Sequence, residues 1–433
     1  MRLPTFYEQN LIPNWGIFVT YFTIFTLHSM IELSPKTVKF ISEHRNDDIR
    51  VLALKAKNYP DIDINEAVKQ ISGRQIAEKK IPSWAEQENI IYPKHLSMEQ
   101  CSSEITARYK ASLVSGETFA DLTAGFGVDF YFISRQFNHA YYVERQEELC
   151  EIAKHNFKVL GANHIEFCNT DGVDFLNRMN TVDCIFIDPA RRDSNGGKTV
   201  AISDCEPDIC KLERKLVEKG RTVLIKLSPM LDIHNALKEL THISDIHIVS
   251  VNNECKELVI RMTKHSEPEN NIADKAEICC KQFVNNATTQ EFRFTYSEEK
   301  NTDIRYTDTI GEYLYEPGAA MLKAGPFKLL SARYGVDKLH PNSHLYTSNE
   351  VVDFPGRRFK VIEVSTFGKK ELKAFLKDLE KANITIRNFP CSVDELRKKL
   401  KLKDGGDTYI FATTLNNGNK VLIKCRSVKS FIS

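Results

Sequence analysis

The stretch Asp121-Leu-Thr-Ala-Gly-Phe-Gly-Val-Asp129 decides the fold class of this chain. It overlaps the end of the short apolar run 118–122. A buried strand that ends in an acidic, glycine-containing turn is typical of the carboxyl edge of a parallel α/β sheet. Gly125 and Gly127 remove side chains at the point where a ligand would approach the backbone. The stretch therefore predicts a loop that holds a nucleotide-like cofactor.

Apolar runs and helical segments alternate around this loop, which predicts right-handed βαβ units and a Rossmann-like, doubly wound α/β sheet. The predicted strands are 118–122, 140–143, 164–167, 182–187 and 222–227, with 246–251 and 258–262 as the last two. The main helices between them are predicted at 146–160 and 204–219. We expect this sheet to end near Thr263.

Acidic residues end the next two predicted strands in positions that suit a nucleoside. Glu144 follows the second strand and would accept hydrogen bonds from two ribose hydroxyls. Asp171 follows the third strand and would accept an adenine amino group. Acidic residues also favour ordinary turns at strand ends, which is the alternative for both carboxylates. An NAD site is disfavoured because the third glycine of a dinucleotide fingerprint is absent.

A second apolar run, Cys184-Ile-Phe-Ile-Asp-Pro-Ala-Arg191, brings Asp188 and Pro189 to a strand end. The Asp188 carboxylate and the Pro189 carbonyl can accept two hydrogens from an amino group and localise its lone pair. Asp-Pro also opens ordinary turns, and that alternative stays open. Arg191 and Arg192 begin a basic loop that either binds a polyanionic substrate or is simply solvated.

These motifs resemble those of class I S-adenosylmethionine-dependent methyltransferases. The resemblance is carried by Asp-x-x-x-Gly-x-Gly at 121–127, Glu144, Asp171 and Asp-Pro-Ala-Arg at 188–191. It is closer still to a bacterial branch with a THUMP-like C-terminal domain, through Tyr92-Pro-Lys-His, Glu99-Gln-Cys-Ser-Ser-Glu104 and Tyr315-Glu-Pro-Gly-Ala-Ala320. It covers most of the chain from about Met30 onward.

The resemblance implies S-adenosylmethionine as the cofactor. Its methionine end would lie over the glycine loop, its ribose would meet Glu144 and its adenine would lie near Asp171. The complete set of predicted cofactor residues is Asp121, Thr123, Gly125, Gly127, Glu144 and Asp171.

The motif at 188–191 is similar to the Asp/Asn-Pro-Pro-aromatic motif of methyltransferases that act on base amines. Ala190 and Arg191 stand in its last two positions. Asp-Pro-x-Arg is also similar to enzymes that methylate pyrimidine carbon, which need a nucleophilic cysteine. No cysteine follows the fifth predicted strand, where the chain reads Leu227-Ser228-Pro229. We therefore predict a catalytic role for Asp188 and Pro189 and leave the chemistry of the acceptor open.

The net charge of +1 conceals a basic C-terminal segment: residues 355–433 hold 18 Lys and Arg against 8 Asp and Glu. The pattern there predicts a strand at 359–364, a helix at 369–381, a strand at 384–387, a helix at 392–400 and a hairpin of 408–414 with 420–426. Lys369, Lys373, Lys377 and Lys381 repeat every four residues and would form one basic stripe along the first helix. The stripe either tracks a phosphate backbone or is a solvated face. THUMP domains bind RNA, so the resemblance favours RNA.

The N-terminal region raises a question of location. Residues 9–31 contain no Asp, Glu, Lys or Arg, which fits either a membrane segment or an extension ahead of a natural start at Met30. The 11 cysteines form no Cys-x-x-Cys pair, which favours a reducing cytoplasm and disfavours a metal site.

The segment from 32 to about 115 is predicted to be helical, with a capping box at Ser97 and Gln100 that starts a helix.

The sequence thus predicts a cytoplasmic S-adenosylmethionine-dependent methyltransferase that acts on RNA, with a base nitrogen as one candidate acceptor. The alternatives are a noncatalytic RNA-binding protein that retains the cofactor fold, or a methyltransferase for a protein or small molecule. The predicted domains are an apolar extension (1–31), a helical region (32–115), a methyltransferase domain (116–265), a β-containing connection (266–350) and a basic THUMP-like domain (351–433).

Overall fold

The computed structural model describes residues 33–191, 201–264, 272–284 and 288–428. The predictions for residues 9–31, for Met30 and for Arg192 lie outside the described residues, as does the side chain of Arg191. The chain divides into two units. The first contains the described residues up to Ser115 and residues 124–175, and the second contains residues 116–123 and the rest of the chain from Leu176.

The described strands are Thr118–Asp121 (β1), His139–Val143 (β2), Ile165–Cys168 (β3), Val182–Ile187 (β4), Ala190–Arg191 (β5), Cys205–Glu206 (β6), Gly220–Leu227 (β7), Ile243–Val251 (β8), Glu254–Thr263 (β9), Glu277–Val284 (β10), Thr288–Phe294 (β11), Tyr313–Pro317 (β12), Asp337–Lys338 (β13), Tyr346–Ser348 (β14), Gly356–Ser365 (β15), Asn383–Arg387 (β16), Thr408–Thr414 (β17) and Lys420–Ser427 (β18).

The described α-helices are Pro35–Glu43, Ile49–Leu54, Ile64–Lys80, Pro82–Ala85, His95–Gln100, Glu104–Ala111, Val128–Ser134, Glu147–Val159, Gly172–Arg178, Ile209–Lys219, Ile233–Glu239, Ile272–Lys275, Tyr296–Asn301, Ala319–Ala324, Phe327–Tyr334, Lys369–Phe375 and Val393–Leu400.

In the first unit, six α-helices precede the glycine loop among the described residues, and β2 pairs with β3 in parallel. The core behind the loop is aromatic. Phe130, Tyr142 and Phe157 are completely buried, and the rings of Phe130 and Phe157 stack 5.5 Å apart. Stacked and edge-to-face aromatic pairs stabilise a core more than their buried area alone would. The backbone around the glycine loop therefore packs against a closely packed aromatic core.

In the second unit, β4 lies between β1 and β7, and all three strands are parallel. The order continues through β9 and β8 to β10 and β11. The expectation that the sheet ends near Thr263 is wrong, because β10 pairs in parallel with β8, and β11 then pairs with β10. The chain leaves the sheet after β9 and returns, which local sequence patterns do not reveal.

A separate seven-stranded sheet occupies the C-terminal part of the second unit, in the order β13-β14-β12-β15-β18-β17-β16. The predicted hairpin is present as β17 and β18. The helix predicted at 369–381 is too long, since it ends at Phe375 and Asp378 adopts a left-handed φ of 61°. Phe375 anchors its apolar side and is completely buried. The division into five domains stays a prediction.

The capping box predicted at Ser97 is wrong. The helix there begins at His95 after Lys94 and stops at Gln100, because Cys101 is extended with φ −63° and ψ 156°. Ser103 then caps a second helix by accepting a hydrogen bond from the Thr106 amide at 3.4 Å. The chain is therefore extended across Cys101–Ser103 where one continuous helix was expected.

Candidate active site

The glycine loop has the backbone conformation that its sequence predicts. Gly125 and Gly127 have φ values of 56° and 88°, in the left-handed region that L side chains rarely adopt. A Cβ atom added to Gly127 would lie 2.6 Å from the ring of Phe157. The Ala124 amide donates to the Val143 carbonyl at 3.0 Å and ties the loop to β2. Both backbone strain and packing therefore require glycine at 127.

Glu144 is buried, and each of its carboxylate oxygens accepts a backbone hydrogen bond. The Gly125 amide donates to one oxygen at 2.9 Å and the Gln146 amide donates to the other at 2.8 Å. Only 7% of the surface of the residue is exposed to solvent. Glu144 therefore fixes the glycine loop directly, a structural role that its position in the sequence did not reveal.

Asp171 is exposed and takes part in the turn that begins the helix Gly172–Arg178. One of its carboxylate oxygens accepts hydrogen bonds from the amides of Val173 at 2.8 Å and Asp174 at 3.3 Å. This is the capping role that acidic residues commonly have at such turns. Its predicted contact with adenine stays a prediction.

In the second unit, hydrogen bonds join the ends of β1 and β4. Asp121 is buried and accepts from the Thr123 amide at 2.9 Å. The Thr123 hydroxyl in turn accepts from the Asp188 amide at 2.7 Å. Thr123 therefore fixes the backbone from which the Asp188 carboxylate projects.

Lys226 is a residue that the sequence reasoning missed. Its Nζ lies 2.5 Å from an Asp188 carboxylate oxygen, and the two side chains are 14% and 37% exposed. The sequence did carry a signal, because Lys226 interrupts the apolar run 223–227 one residue before the end of β7. A lysine near the end of a buried strand needs an acidic partner, and Asp188 at the end of the neighbouring strand β4 supplies it.

The rest of the strand-four motif leads into a short strand. Pro189 is buried, and Ala190–Arg191 (β5) pairs antiparallel with β6. Cys184 lies within β4, where burial raises the pKa of its thiol far above the usual value. A buried, protonated thiol is a poor nucleophile.

The four lysines of the predicted stripe do not share one helix. Lys369 and Lys373 lie on the helix Lys369–Phe375, whereas Lys377 and Lys381 follow its end. Lys381 instead forms an isolated bridge with Lys403. All four lysines are exposed, so they contribute to a basic surface without forming the regular stripe that was predicted.

Comparison with known proteins decides the family. A crystal structure from Porphyromonas gingivalis W83, assigned as a methyltransferase, aligns with a TM-score of 0.81 and 34% sequence identity over 93% of this chain and 99% of that chain. The chain belongs to this methyltransferase family. Two Mycobacterium tuberculosis relatives, each named an uncharacterized S-adenosylmethionine-dependent methyltransferase, are 22% identical over 325 residues, which are 75% of this chain and 84% of theirs.

Three family descriptions match parts of this methyltransferase. Residues 99–247 match conserved hypothetical protein 95, residues 313–355 match a ferredoxin-like domain and residues 356–427 match a THUMP domain-like family. The predicted α/β methyltransferase fold, the THUMP-like C-terminal domain, S-adenosylmethionine as cofactor and methyltransferase activity are confirmed. The ferredoxin-like match (313–355) and the THUMP-like match (356–427) lie in the same seven-stranded sheet, because β12 of the first pairs with β15 of the second.

Two further observations concern the described ranges of the methyltransferase. No helix in them is long and apolar enough to cross a bilayer. No three His, Cys, Asp or Glu side chains in them are grouped as metal ligands.

Proposed function

We propose that this methyltransferase acts on RNA and transfers the methyl group to a base nitrogen. The observation that carries the proposal is the THUMP domain-like match at residues 356–427, which coincides with the strongly basic part of the chain. A phosphate backbone is attracted by clustered lysine and arginine side chains whatever its base sequence. The substrate-binding residues we propose are Arg191, Arg192, Lys369, Lys373, Lys377 and Lys381.

The cofactor residues that we propose are Asp121, Thr123, Gly125, Gly127, Glu144 and Asp171. The bare backbone at Gly125 and Gly127 and the nearby buried carboxylate of Glu144 suit a ligand with a nucleoside and a charged amino acid end. Each carboxylate oxygen has two lone pairs, so Glu144 can accept ribose hydroxyls in addition to its two backbone amides. Asp121 and Asp171 would accept hydrogen bonds from polar groups of the cofactor.

Asp188 and Pro189 are the proposed catalytic residues. When bound, S-adenosylmethionine supplies a methyl group that its sulfonium charge has already activated. The protein then has to align the acceptor and support the charge that moves. Asp188 would accept a hydrogen from the base amine, the Pro189 carbonyl would accept the second, and Asp188 would take the proton released as the new bond forms.

Lys226 restrains this carboxylate. With its ammonium 2.5 Å from one oxygen of Asp188, the ion pair limits how the carboxylate rotates. The pair therefore holds the carboxylate in an orientation from which it can accept a hydrogen bond from the acceptor amine.

A cytoplasmic location is part of this proposal. None of the eleven cysteines forms a disulfide, and structural disulfides are rare in the cytoplasm and common outside it.

The substrate class can be tested by methyl transfer to fractionated extracts. Purified enzyme and S-adenosylmethionine labelled in the methyl group would be incubated with RNA, protein and small-molecule fractions from cells that lack the enzyme. We expect label in RNA from the wild type and none from Asp188→Ala. Label in the protein or small-molecule fraction, with RNA unlabelled, would show that the RNA proposal is wrong.

A further inference from the structure

A closed cluster of polar side chains lies next to the glycine loop. The Ser102 hydroxyl donates to the Asp129 carboxylate at 2.7 Å, and Lys110 Nζ lies 3.1 Å from the other carboxylate oxygen. Lys110 also donates to the Ser102 hydroxyl at 3.3 Å. The Lys110 side chain is completely buried and that of Asp129 is 10% exposed. Each member of the cluster therefore contacts both others away from solvent.

Such a cluster is a costly way to stabilise a fold. Desolvation of two charges offsets much of their attraction, and well-packed apolar residues of the same volume often stabilise a protein equally well. Lysine is almost never fully buried unless it has a partner. What a charged cluster adds over apolar packing is a defined geometry between the elements that it joins.

The elements joined are the N-terminal helices and the segment that follows the glycine loop. Ser102 lies in the extended link before the helix Glu104–Ala111, and Lys110 lies on that helix. Asp129 is the second residue of the helix Val128–Ser134, and this helix begins directly after Gly127. The Arg108 guanidinium, 4.5 Å above the ring of Phe132, makes a second contact between these two helices.

The glycine loop also inserts its own side chain into the N-terminal region. Phe126, between the two glycines, is 4% exposed and contacts the ring of Trp84 edge-on with 5.2 Å between ring centroids. Trp84 is completely buried. Phe126 and Asp129 therefore hold the loop on either side of Gly127.

We infer that Ser102, Lys110 and Asp129 are positioning residues for the cofactor loop. They set the affinity for S-adenosylmethionine by fixing the backbone at Gly127, without contacting the cofactor. The inference rests on the proposed role of Gly125 and Gly127 in cofactor binding. The 33–115 region is then required for cofactor binding and is more than an N-terminal extension of the catalytic domain.

The test measures S-adenosylmethionine affinity by calorimetry and thermal stability in parallel, on the full chain. In the double variant Lys110→Met with Asp129→Asn, both charges are removed together, so no unpaired ion is left buried. We expect its affinity to fall at least about tenfold because the geometric restraint is lost. Ser102→Ala removes one hydroxyl and should weaken binding by about three- to tenfold. Ser102→Thr keeps the hydroxyl and should restore most of the affinity.

Glu316→Gln is the matched control. Glu316 is 1% exposed in the second sheet, where its carboxylate accepts hydrogen bonds from Arg357 and Arg387. The change from buried carboxylate to amide should lower the melting temperature and leave S-adenosylmethionine affinity unchanged. A loss of affinity in the cluster variants that exceeds the control at equal stability supports the inference.

Two results separate this inference from the proposed cofactor site. If Gly125→Arg abolishes binding while Ser102→Ala and the double variant bind like the wild type, the inference about the cluster is overturned and the cofactor site stands. If Gly125→Arg itself binds like the wild type, the proposed cofactor site is wrong and the inference falls with it.

Discussion

Glu144 and Asp188 are both acids at the ends of parallel strands, but they are held in different ways. Glu144 is buried and both its oxygens accept hydrogen bonds from backbone amides. Asp188 is held by one side chain, Lys226, and its own side chain is 37% exposed. Backbone donors cannot move without the chain, whereas a lysine side chain can change rotamer.

The difference fits the two roles that we propose for these acids. The glycine loop and Glu144 are fixed by backbone hydrogen bonds and belong to the packed core. A rigid site of this kind is what we expect for a cofactor, because the same molecule binds in every turnover. The end of β4 is more open and its acid is adjustable, as expected where a larger substrate must enter and leave. The predictions below test this contrast between a fixed region and an adjustable one.

The largest effect is expected for Gly127→Ala. The variant combines a φ of 88° with a methyl group 2.6 Å from the ring of Phe157. Backbone strain and overpacking together should lower the free energy of unfolding by about 2–5 kcal/mol. Chemical denaturation would measure the loss.

Gly161→Ala is the matched control for Gly127→Ala. Gly161 has a similar φ of 72°, and a Cβ there has no neighbour within 4 Å. It carries the backbone strain alone and should lose only about 1 kcal/mol. Equal losses in the two variants would contradict a packed, fixed loop.

Asp188→Asn should act on transfer alone. The amide oxygen still accepts a hydrogen bond from the amine, but it carries no negative charge and cannot take the released proton, so kcat should fall by about 100- to 1000-fold. S-adenosylmethionine affinity, measured by calorimetry, should stay within about twofold, because Asp188 is not one of the proposed cofactor residues and the amide keeps the shape of the side chain. A large loss of cofactor affinity would contradict the separation of the two regions.

Glu144→Gln should act on binding. The amide retains one oxygen acceptor and presents an NH₂ group to the amide of either Gly125 or Gln146, which leaves one backbone donor without its acceptor. S-adenosylmethionine affinity should fall by about 10- to 100-fold. Calorimetry measures the change, and an unaltered affinity would show that Glu144 neither shapes the loop nor binds the ribose.

The smallest effect is expected for Lys226→Met. Asp188 is exposed enough for water to solvate its charge when the ammonium is removed, so kcat should fall only about 3- to 30-fold. Lys226→Arg keeps a cation near Asp188 and should retain more activity. Initial rates at saturating cofactor distinguish the variants, and a loss as large as that of Asp188→Asn would make Lys226 more than a restraint.

Local patterns in the sequence predicted the central strands well. The apolar run at 182–187 is β4 residue for residue, because a short run bounded by polar turns has only one way to be buried on both faces. The left-handed turn at Gly125 and Gly127 was predictable for a similar reason, since few other residues tolerate it.

Nonlocal contacts account for what the sequence did not predict. The pairing of β10 with β8 and the ion pair of Lys226 with Asp188 join residues far apart in the chain. The break at Cys101 also depends on distant groups: Lys80 donates hydrogen bonds to the carbonyls of Met98 and Glu99, at the end of the preceding helix. A single sequence carries no record of these partners.

Single-turnover methyl transfer separates the two roles most directly. The wild type, Asp188→Asn and Glu144→Gln would each be saturated with S-adenosylmethionine and mixed with RNA from cells that lack the enzyme. We predict that Glu144→Gln transfers at close to the wild-type rate once saturated, and that Asp188→Asn transfers at least about 100-fold more slowly. Transfer by Asp188→Asn at the wild-type rate, or a slow Glu144→Gln at saturation, would contradict the division of the site into a fixed cofactor region and an adjustable acceptor region.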